Sequence, residues 1–190
     1  GTGHAALAAA PALKDFDGVA VIIFADTPLV TASTLSRLAA SVDDHTSLAV
    51  LGFETADPTG YGRLVTDSNG DVTHIVEHRD ATADEQRITL VNGGIMAVRC
   101  PLLFSWLEQV QANNKNGEIY LTDIIELATQ AGSKVACQIA DEAEIAGVND
   151  RADLAYLEAV LQTRLRNSAM QQGATLIAPE TVFLSADTII

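Results

Sequence analysis

Asp26 stands where a carboxylate can bind a ligand. It follows the apolar run GVAVIIFA of residues 18–25, which has the length and composition of a buried strand, and Pro28 comes two positions later. Aspartate and proline are avoided inside strands, so this strand must end before them. Open α/β sheets bind their ligands at the carboxyl ends of their strands. The carboxylate of Asp26 therefore either turns the chain or holds a ligand.

Two glycine-containing stretches also have the composition of ligand contacts. DPTGYGR (57–63) has two glycines around Tyr61 and VNGG (91–94) places Asn92 beside two glycines inside a predicted strand. Glycine lets the backbone approach a ligand closely, and the amide of asparagine can donate and accept hydrogen bonds. A plain surface turn in the first stretch and a β-bulge in the second remain open as alternatives.

Two further candidate stretches stand at predicted helix starts. GEIYLTD (117–123) carries Tyr120 and Thr122, and GVND (147–150) carries Asn149 just before a long helical pattern. Threonine and asparagine are both common N-cap residues, so each of these two side chains could act only as a cap. A ligand-binding role is the alternative.

Strands and helices are predicted to alternate along the chain. Apolar runs such as SLAVLGFE (47–54) predict buried strands, and the Asn-Gly pair in SNGD (68–71) predicts a hairpin between two alternating segments. An amphipathic pattern predicts one long helix over residues 150–173. Together these patterns predict an α/β fold, with a mixed, mostly parallel sheet flanked by helices and an inserted antiparallel hairpin.

Composition narrows the classes of function. The 190 residues carry 25 acidic and 11 basic side chains, a net charge of −14, which argues against non-specific binding of nucleic acid or an anionic membrane. A phosphorylated ligand would need a cation or a local basic group to bind such a chain. No apolar run is long enough to span a membrane, no signal-peptide pattern is present, and a cytoplasmic location is expected. Cys100 and Cys137 lack motif spacing and are expected to be small buried side chains.

Seven motifs occur in an order that resembles a known family. They are GTGHA, FADTPLV, DPTGYGR, IVEHRDAT, VNGGI, NGEIYLTDII and GVNDRADL. In this order they resemble the uridylyltransferase domain of the bacterial bifunctional N-acetylglucosamine-1-phosphate uridyltransferases / glucosamine-1-phosphate N-acetyltransferases. The resemblance implies a Rossmann-like nucleotidyltransferase fold. It also implies three regions: a nucleotidyltransferase domain at 1–149, a linker helix at 150–173, and the start of a left-handed β-helix at 174–190.

The resemblance also implies roles for individual residues. Gly1 and Thr2 would contact the nucleotide, and the stretch Phe24, Ala25 and Asp26 would bind substrate. Asp26, the catalytic candidate, and Asn149 would bind Mg²⁺. The remaining candidates would bind the sugar or shape its pocket, and they are Gly62, Glu77, Asn92, Tyr120 and Thr122.

The implied reaction transfers uridylyl from UTP to N-acetylglucosamine 1-phosphate, giving UDP-N-acetylglucosamine, a precursor of cell wall and lipopolysaccharide, and pyrophosphate. Carboxylate and amide oxygens are ligands that suit Mg²⁺, and the cation would lie between an acidic protein and an anionic substrate. The whole protein is expected to acetylate glucosamine 1-phosphate as well and to form a homotrimer. A nucleotidyltransferase for another base or sugar, and a non-catalytic module that binds nucleotide sugars, remain alternatives.

Some features depart from the family pattern. Phe24 and Ala25 stand where the family has tyrosine and glycine, and Gly93 replaces a threonine; none of these changes removes a predicted metal ligand. The family's Gly-rich loop, with an arginine and a lysine, does not occur in these 190 residues, nor does most of the β-helix. The chain is therefore expected to be a fragment that is inactive by itself.

Overall fold

The computed structural model of the chain describes residues 1–110 and 117–190. The sequence predicts a loop in the polar segment 112–117, and of this segment only Gly117 is among the described residues. The chain divides into two compact units. The first comprises Gly1–Phe24 and Thr31–Glu142, and the second comprises Ala25–Val30 and Ala143–Ile190. Each is described by itself.

The first unit is built on one six-stranded sheet. Its strands are β1 (Val19–Ile22), β2 (Thr46–Glu54), β3 (Arg63–Thr66), β4 (Val72–Val76), β5 (Leu90–Arg99) and β6 (Lys134–Ile139). The order is β4-β3-β5-β2-β6, and β1 also pairs with β5. β5 has ten residues. It pairs with β3 near its beginning, where Arg63 faces Val91, and with β1 at its end, where Val19 faces Arg99.

Strand direction differs in part from the sequence prediction. The mixed α/β class is confirmed, but among the described strands the pairing of β2 with β6 is parallel and the other pairings are antiparallel. The expectation of a mostly parallel sheet is therefore wrong for the described strands. The reason is that β5 runs against β1, β2 and β3, its three partners, whereas an apolar run reports only that a strand is buried on both faces.

The predicted hairpin is confirmed. β3 and β4 pair antiparallel around Asn69 and Gly70, and Gly70 has φ +86°. The carboxylate of Asp67 closes the turn by accepting hydrogen bonds from the backbone N–H groups of Asn69 (2.8 Å) and Asp71 (3.0 Å). A positive φ is unfavourable for residues other than glycine and asparagine, which is why the Asn-Gly pair predicts a turn here.

The helices of the first unit pack around this sheet. They are α1 (Thr2–Leu7), α2 (Ala32–Ala40), α3 (Cys100–Leu107) and α4 (Ile124–Gln130). Trp106 of α3 and Ile124 of α4 are buried in one apolar cluster with strand residues such as Val98. The two cysteines are free: Cys100 is buried as predicted, whereas Cys137 is only half-buried, and partial burial raises the pKa of its thiol to about 11.

The second unit contains α5 (Glu142–Ile145, whose first residue belongs to the first unit) and the long helix α6 (Arg151–Gln171), which lies within the predicted linker helix. The buried Gln162 of α6 holds the following segment, because its amide both donates to the carbonyl of Leu184 (2.7 Å) and accepts from its N–H (2.9 Å). Residues 174–190 form turns and a 3₁₀ helix at Pro179–Thr181, so the start of a β-helix there stays a prediction. None of the helices in the described residues has the length and apolarity needed to cross a membrane.

Candidate active site

Strand register brings three predicted sugar-binding residues together in the first unit. Arg63 faces Val76 of β4 on one side and Val91 of β5 on the other. In antiparallel pairs the residue before one position faces the residue after its partner. Gly62, just before β3, therefore lies between Glu77 and Asn92. The N–H of Asn92 donates to the carbonyl oxygen of Gly62 at 2.8 Å, which fixes this arrangement.

The position of Gly62 requires a small residue. A Cβ atom at Gly62 would lie 2.8 Å from Cγ2 of Ile75 and 3.6 Å from Oε1 of Glu77. The carboxylate of Glu77 thus lies beside the bare backbone of Gly62, and Glu77 is exposed while Asn92 is half-buried. Gly62 itself is buried, so the polar groups at this end of the sheet are the exposed Glu77 carboxylate and the half-buried Asn92 amide, both of which can form hydrogen bonds with a ligand.

Asn92 begins an irregular part of β5. Gly52 of β2 faces Asn92 and Val50 faces Met96, so three residues of β5 lie opposite one residue of β2. A bulge, one of the two alternatives that the sequence left open for VNGG, is therefore present. The side-chain oxygen of Asn92 accepts a hydrogen bond from the N–H of Gly94 at 3.0 Å, which leaves the amide NH₂ group available for other contacts. The bulge therefore orients the asparagine side chain, and the two interpretations of VNGG are compatible.

Gly94 also makes room for Phe24. Its φ is +78°, and a Cβ atom there would lie 2.6 Å from Cε2 of the Phe24 ring. The ring of Phe24, a predicted substrate contact, is therefore packed against the backbone of the bulge that orients Asn92.

We expect Gly94→Ala to destabilise the first unit more than Gly70→Ala does. Both glycines have positive φ, so both substitutions carry the strain of a left-handed residue, about 1–2 kcal/mol. A Cβ at Gly70 meets nothing within 4 Å, whereas a Cβ at Gly94 meets Phe24. Thermal melts of the two variants measure the difference, and equal losses would show that the Phe24 contact contributes nothing.

The predicted nucleotide contacts at the amino terminus pack on the GEIYLTD segment. The hydroxyl of Thr2 accepts a hydrogen bond from the N–H of Leu121 at 3.0 Å, and the N–H of Gly3 donates to the carbonyl of Ile119 at 2.9 Å. Gly1 also packs against this segment, since a Cβ atom at Gly1 would lie 2.7 Å from the carbonyl oxygen of Ile119. Two motifs far apart in the sequence thus form one surface.

The end of GEIYLTD lies near Glu77, one of the three predicted sugar-binding residues. Tyr120 and Thr122 are half-buried, and Thr122 belongs to the 3₁₀ helix Leu121–Asp123, so it is not the N-cap of α4. Burial raises the pKa of the Asp123 carboxyl, and the negative charges of Glu126 and Glu77 raise it further. Asp123 was not predicted as a site residue, although it is the last residue of the same motif.

The two predicted metal ligands belong to the second unit. The strand ends at Ile22, as predicted, and Asp26 lies in the turn that follows it. The carbonyl of Asp26 accepts a hydrogen bond from the N–H of Val148 at 2.8 Å, which brings Asp26 next to the GVND loop. Arg164 of α6 donates to the carbonyl of Leu29 at 2.8 Å and holds the same turn from its other end.

Asn149 is not the N-cap of the long helix. That cap is Asp150, whose carboxylate accepts from the N–H groups of Ala152 (2.7 Å) and Asp153 (2.9 Å). The carboxylate of Asp153 in turn accepts from the N–H of Asn149 at 2.9 Å. The capping box therefore fixes the backbone of Asn149 and leaves its side chain exposed.

Asp26 and Asn149 suit a hard divalent cation. Both side chains are exposed, and each offers an oxygen ligand. No cluster of three or more His, Cys, Asp or Glu that could hold a metal occurs within residues 1–110 and 117–190. Mg²⁺ is commonly held by one or two protein ligands together with water and substrate phosphates, so this pair of residues fits it.

We expect Asp153→Ala to loosen the loop that carries Asn149. The N–H of Asn149 holds the pKa of the Asp153 carboxyl below its ordinary value, so this carboxylate stabilises the fold above about pH 4 and its contribution is lost as the pH falls through the lowered pKa. In the variant, hydrogen exchange at Asn149 should be faster and the loss of stability on acidification less steep. The exposed Asp187→Ala serves as control, and identical exchange rates in both variants would contradict the expectation.

Comparison with known proteins places these residues in a family context. The chain is 50% identical over 190 residues to the bifunctional protein GlmU of Maricaulis maris and 52% identical over 192 residues to that of Gluconobacter oxydans. In each comparison the whole chain is covered. The chain is related to part of GlmU. This confirms the resemblance seen in the motifs, and the chain spans 42% of the length of each of these GlmU relatives. No family model matches the chain.

Solved structures support the fold that the GlmU relationship implies. CMP:2-keto-3-deoxy-manno-octonic acid synthetase complexed with CTP superposes with a TM-score of 0.62 at 15% identity, over 86% of this chain and 69% of that one. UDP-glucose pyrophosphorylase complexed with UDP-glucose gives a TM-score of 0.57 at 21% identity, over 82% of this chain and 61% of the other. The predicted nucleotidyltransferase fold is confirmed.

Proposed function

We propose that this chain is part of the uridylyltransferase domain of a GlmU protein, in which UTP and N-acetylglucosamine 1-phosphate give UDP-N-acetylglucosamine and pyrophosphate. The observation that carries the proposal is the register of β4, β3 and β5. It gathers Glu77, Gly62 and Asn92, three residues that the motifs assign to the sugar, at one end of the sheet.

The first unit would bind the sugar and part of the nucleotide. The Glu77 carboxylate would accept hydrogen bonds from sugar hydroxyls, and the amide NH₂ of Asn92 would donate to the substrate. Gly62 would line the sugar site, and Tyr120 and Thr122 would shape the pocket. Gly1 and Thr2 would contact the nucleotide, with Thr2 held in place by the N–H of Leu121.

The second unit would hold the metal. Asp26 and Asn149 would bind Mg²⁺, which neutralises phosphate charge when it is present. Asp26 and Asn149 would each supply one oxygen ligand, Asp26 from a turn and Asn149 from a loop, and the hydrogen bond from Val148 to Asp26 links the turn to the loop. Ala25 is exposed in the same turn, and Phe24 precedes it, which suits contacts to the nucleotide. Positioning and charge neutralisation account for most of the catalysis of such transfers.

The wider properties of the protein belong to the same proposal. We propose a second, acetylating activity on glucosamine 1-phosphate, a homotrimer, a cytoplasmic location and a role in supplying precursors of the cell wall and lipopolysaccharide. They rest on the GlmU relatives, of which this chain spans 42%.

A substrate panel tests the proposal. Pyrophosphate release by the whole protein is measured with UTP, CTP or dTTP against N-acetylglucosamine 1-phosphate or glucose 1-phosphate, with Mg²⁺ and with chelator. We expect turnover with UTP and the N-acetylated sugar, and its loss with chelator. Preference for another pair would indicate a different nucleotidyltransferase, and binding of UDP-N-acetylglucosamine without turnover would indicate a binding module. The same assay on residues 1–190 tests the expectation that this chain is inactive by itself.

A further inference from the structure

Arg63 is a buried cation at the first position of β3. Its side chain is 1% exposed, and within the described part of the chain no ion pair joins it to a carboxylate. Hydrogen bonds from Thr59 are the main cause of the lowered pKa of the Asp57 carboxyl, and the positive charge of Arg63 lowers this pKa further. Burying a guanidinium without a paired carboxylate is costly, so a fold that keeps one needs a compensating gain.

The hydrogen bonds of Arg63 link the residue before Gly62 to the residue after Glu77. One terminal nitrogen, Nη1, donates to the backbone carbonyl of Tyr61, the residue before Gly62. The other, Nη2, lies 3.1 Å from Nδ1 of His78, the residue after Glu77. A guanidinium can only donate, so Nδ1 of His78 is the acceptor in this pair. The Nε atom of Arg63 is buried and has no hydrogen-bond partner.

This geometry constrains Gly62 and Glu77 relative to each other. The β3–β4 pairing ends at Arg63 and Val76, one residue before Glu77. Beyond that pair, the planar fork of Arg63 spans the gap between the Tyr61 carbonyl and the His78 ring. A flexible lysine could not make both bonds from one rigid plane.

We infer that Arg63 and His78 are positioning residues for the sugar half of the site, holding the Glu77 carboxylate beside Gly62. The inference rests on the proposed function, because it assigns a purpose to the placement of Glu77. Neither residue contacts substrate in this proposal. Their effect is on affinity for the sugar and not on affinity for UTP.

Variants at His78 test the inference. His78→Asn keeps an acceptor oxygen near the position of Nδ1, whereas His78→Leu removes the acceptor. With the whole protein and calorimetry, we expect His78→Leu to weaken UDP-N-acetylglucosamine binding about tenfold, as for a lost hydrogen bond to a charged group. His78→Asn should retain affinity within about threefold of the wild type, and UTP binding should change in neither variant. His74→Leu, at an exposed histidine of β4, is the control.

Arg63→Met separates positioning from stability. Methionine keeps a side chain of similar length and removes the buried charge, but it leaves the Tyr61 carbonyl and Nδ1 of His78 without their donor, so a lower melting temperature is expected. Sugar-nucleotide binding should weaken about tenfold, whereas UTP binding, which a general loss of structure would also weaken, should not change. Wild-type affinity in Arg63→Met, or equal affinities in the two His78 variants, would overturn the inference, and if Arg63→Met does not fold, the His78 pair decides. A wild-type protein that does not bind UDP-N-acetylglucosamine would instead overturn the proposed function, and this inference with it.

Discussion

Asp26→Asn in the whole protein is expected to lower the rate of uridylyl transfer at least about a hundredfold. The proposed metal supplies several kcal/mol of transition-state stabilisation, and each tenfold in rate corresponds to about 1.4 kcal/mol. The amide of asparagine carries no charge and is a weaker ligand than a carboxylate. Because Asp26 is exposed, the substitution should leave the melting temperature unchanged. Pyrophosphate release over a range of Mg²⁺ concentrations measures the effect.

Two controls accompany this substitution. Asp17→Asn changes another exposed aspartate in the segment that leads into β1 and should retain full activity. The proposed acetyl transfer to glucosamine 1-phosphate should be intact in Asp26→Asn. Uridylyl transfer that reaches the wild-type rate at saturating Mg²⁺ would refute a role for Asp26 as a metal ligand.

Asn92→Ala is expected to weaken binding of the sugar nucleotide about tenfold or more. The substitution removes the amide proposed to contact the sugar, and a lost hydrogen bond in a binding pocket costs about 1–3 kcal/mol. It also removes the acceptor for the N–H of Gly94, so the bulge should become less ordered. Titration calorimetry with UDP-N-acetylglucosamine and with UTP measures the two affinities separately.

The pattern of the two affinities decides the assignment of Asn92. UTP binding should change little, because the nucleotide contacts are assigned to Gly1, Thr2 and the stretch around Asp26. Asn167→Ala, at an exposed position of α6, should affect neither ligand. An equal loss for both ligands would mean that Asn92 acts on the fold as a whole and not on the sugar.

Features that depend on neighbouring residues were predictable from the sequence. The Asn-Gly turn between β3 and β4 and the end of the first strand before Asp26 follow from backbone preferences at single positions. The long helix follows from a pattern over 24 residues, 150–173, and the structure places it at Arg151–Gln171. In the same way the order of the seven motifs was sufficient to identify the GlmU relationship, since it depends only on the sequence.

The features that only the tertiary structure determined depend on contacts between distant segments. The antiparallel direction of β5 and the grouping of Gly62, Glu77 and Asn92 depend on which strands pair and in which register. The choice of Asp150 instead of Asn149 as helix cap depends on the capping box with Asp153. The bond between Arg63 and His78 is a contact across the end of a hairpin. Local propensity cannot determine such features, because a strand's partner and register are selected by the burial and hydrogen bonding of the folded sheet as a whole.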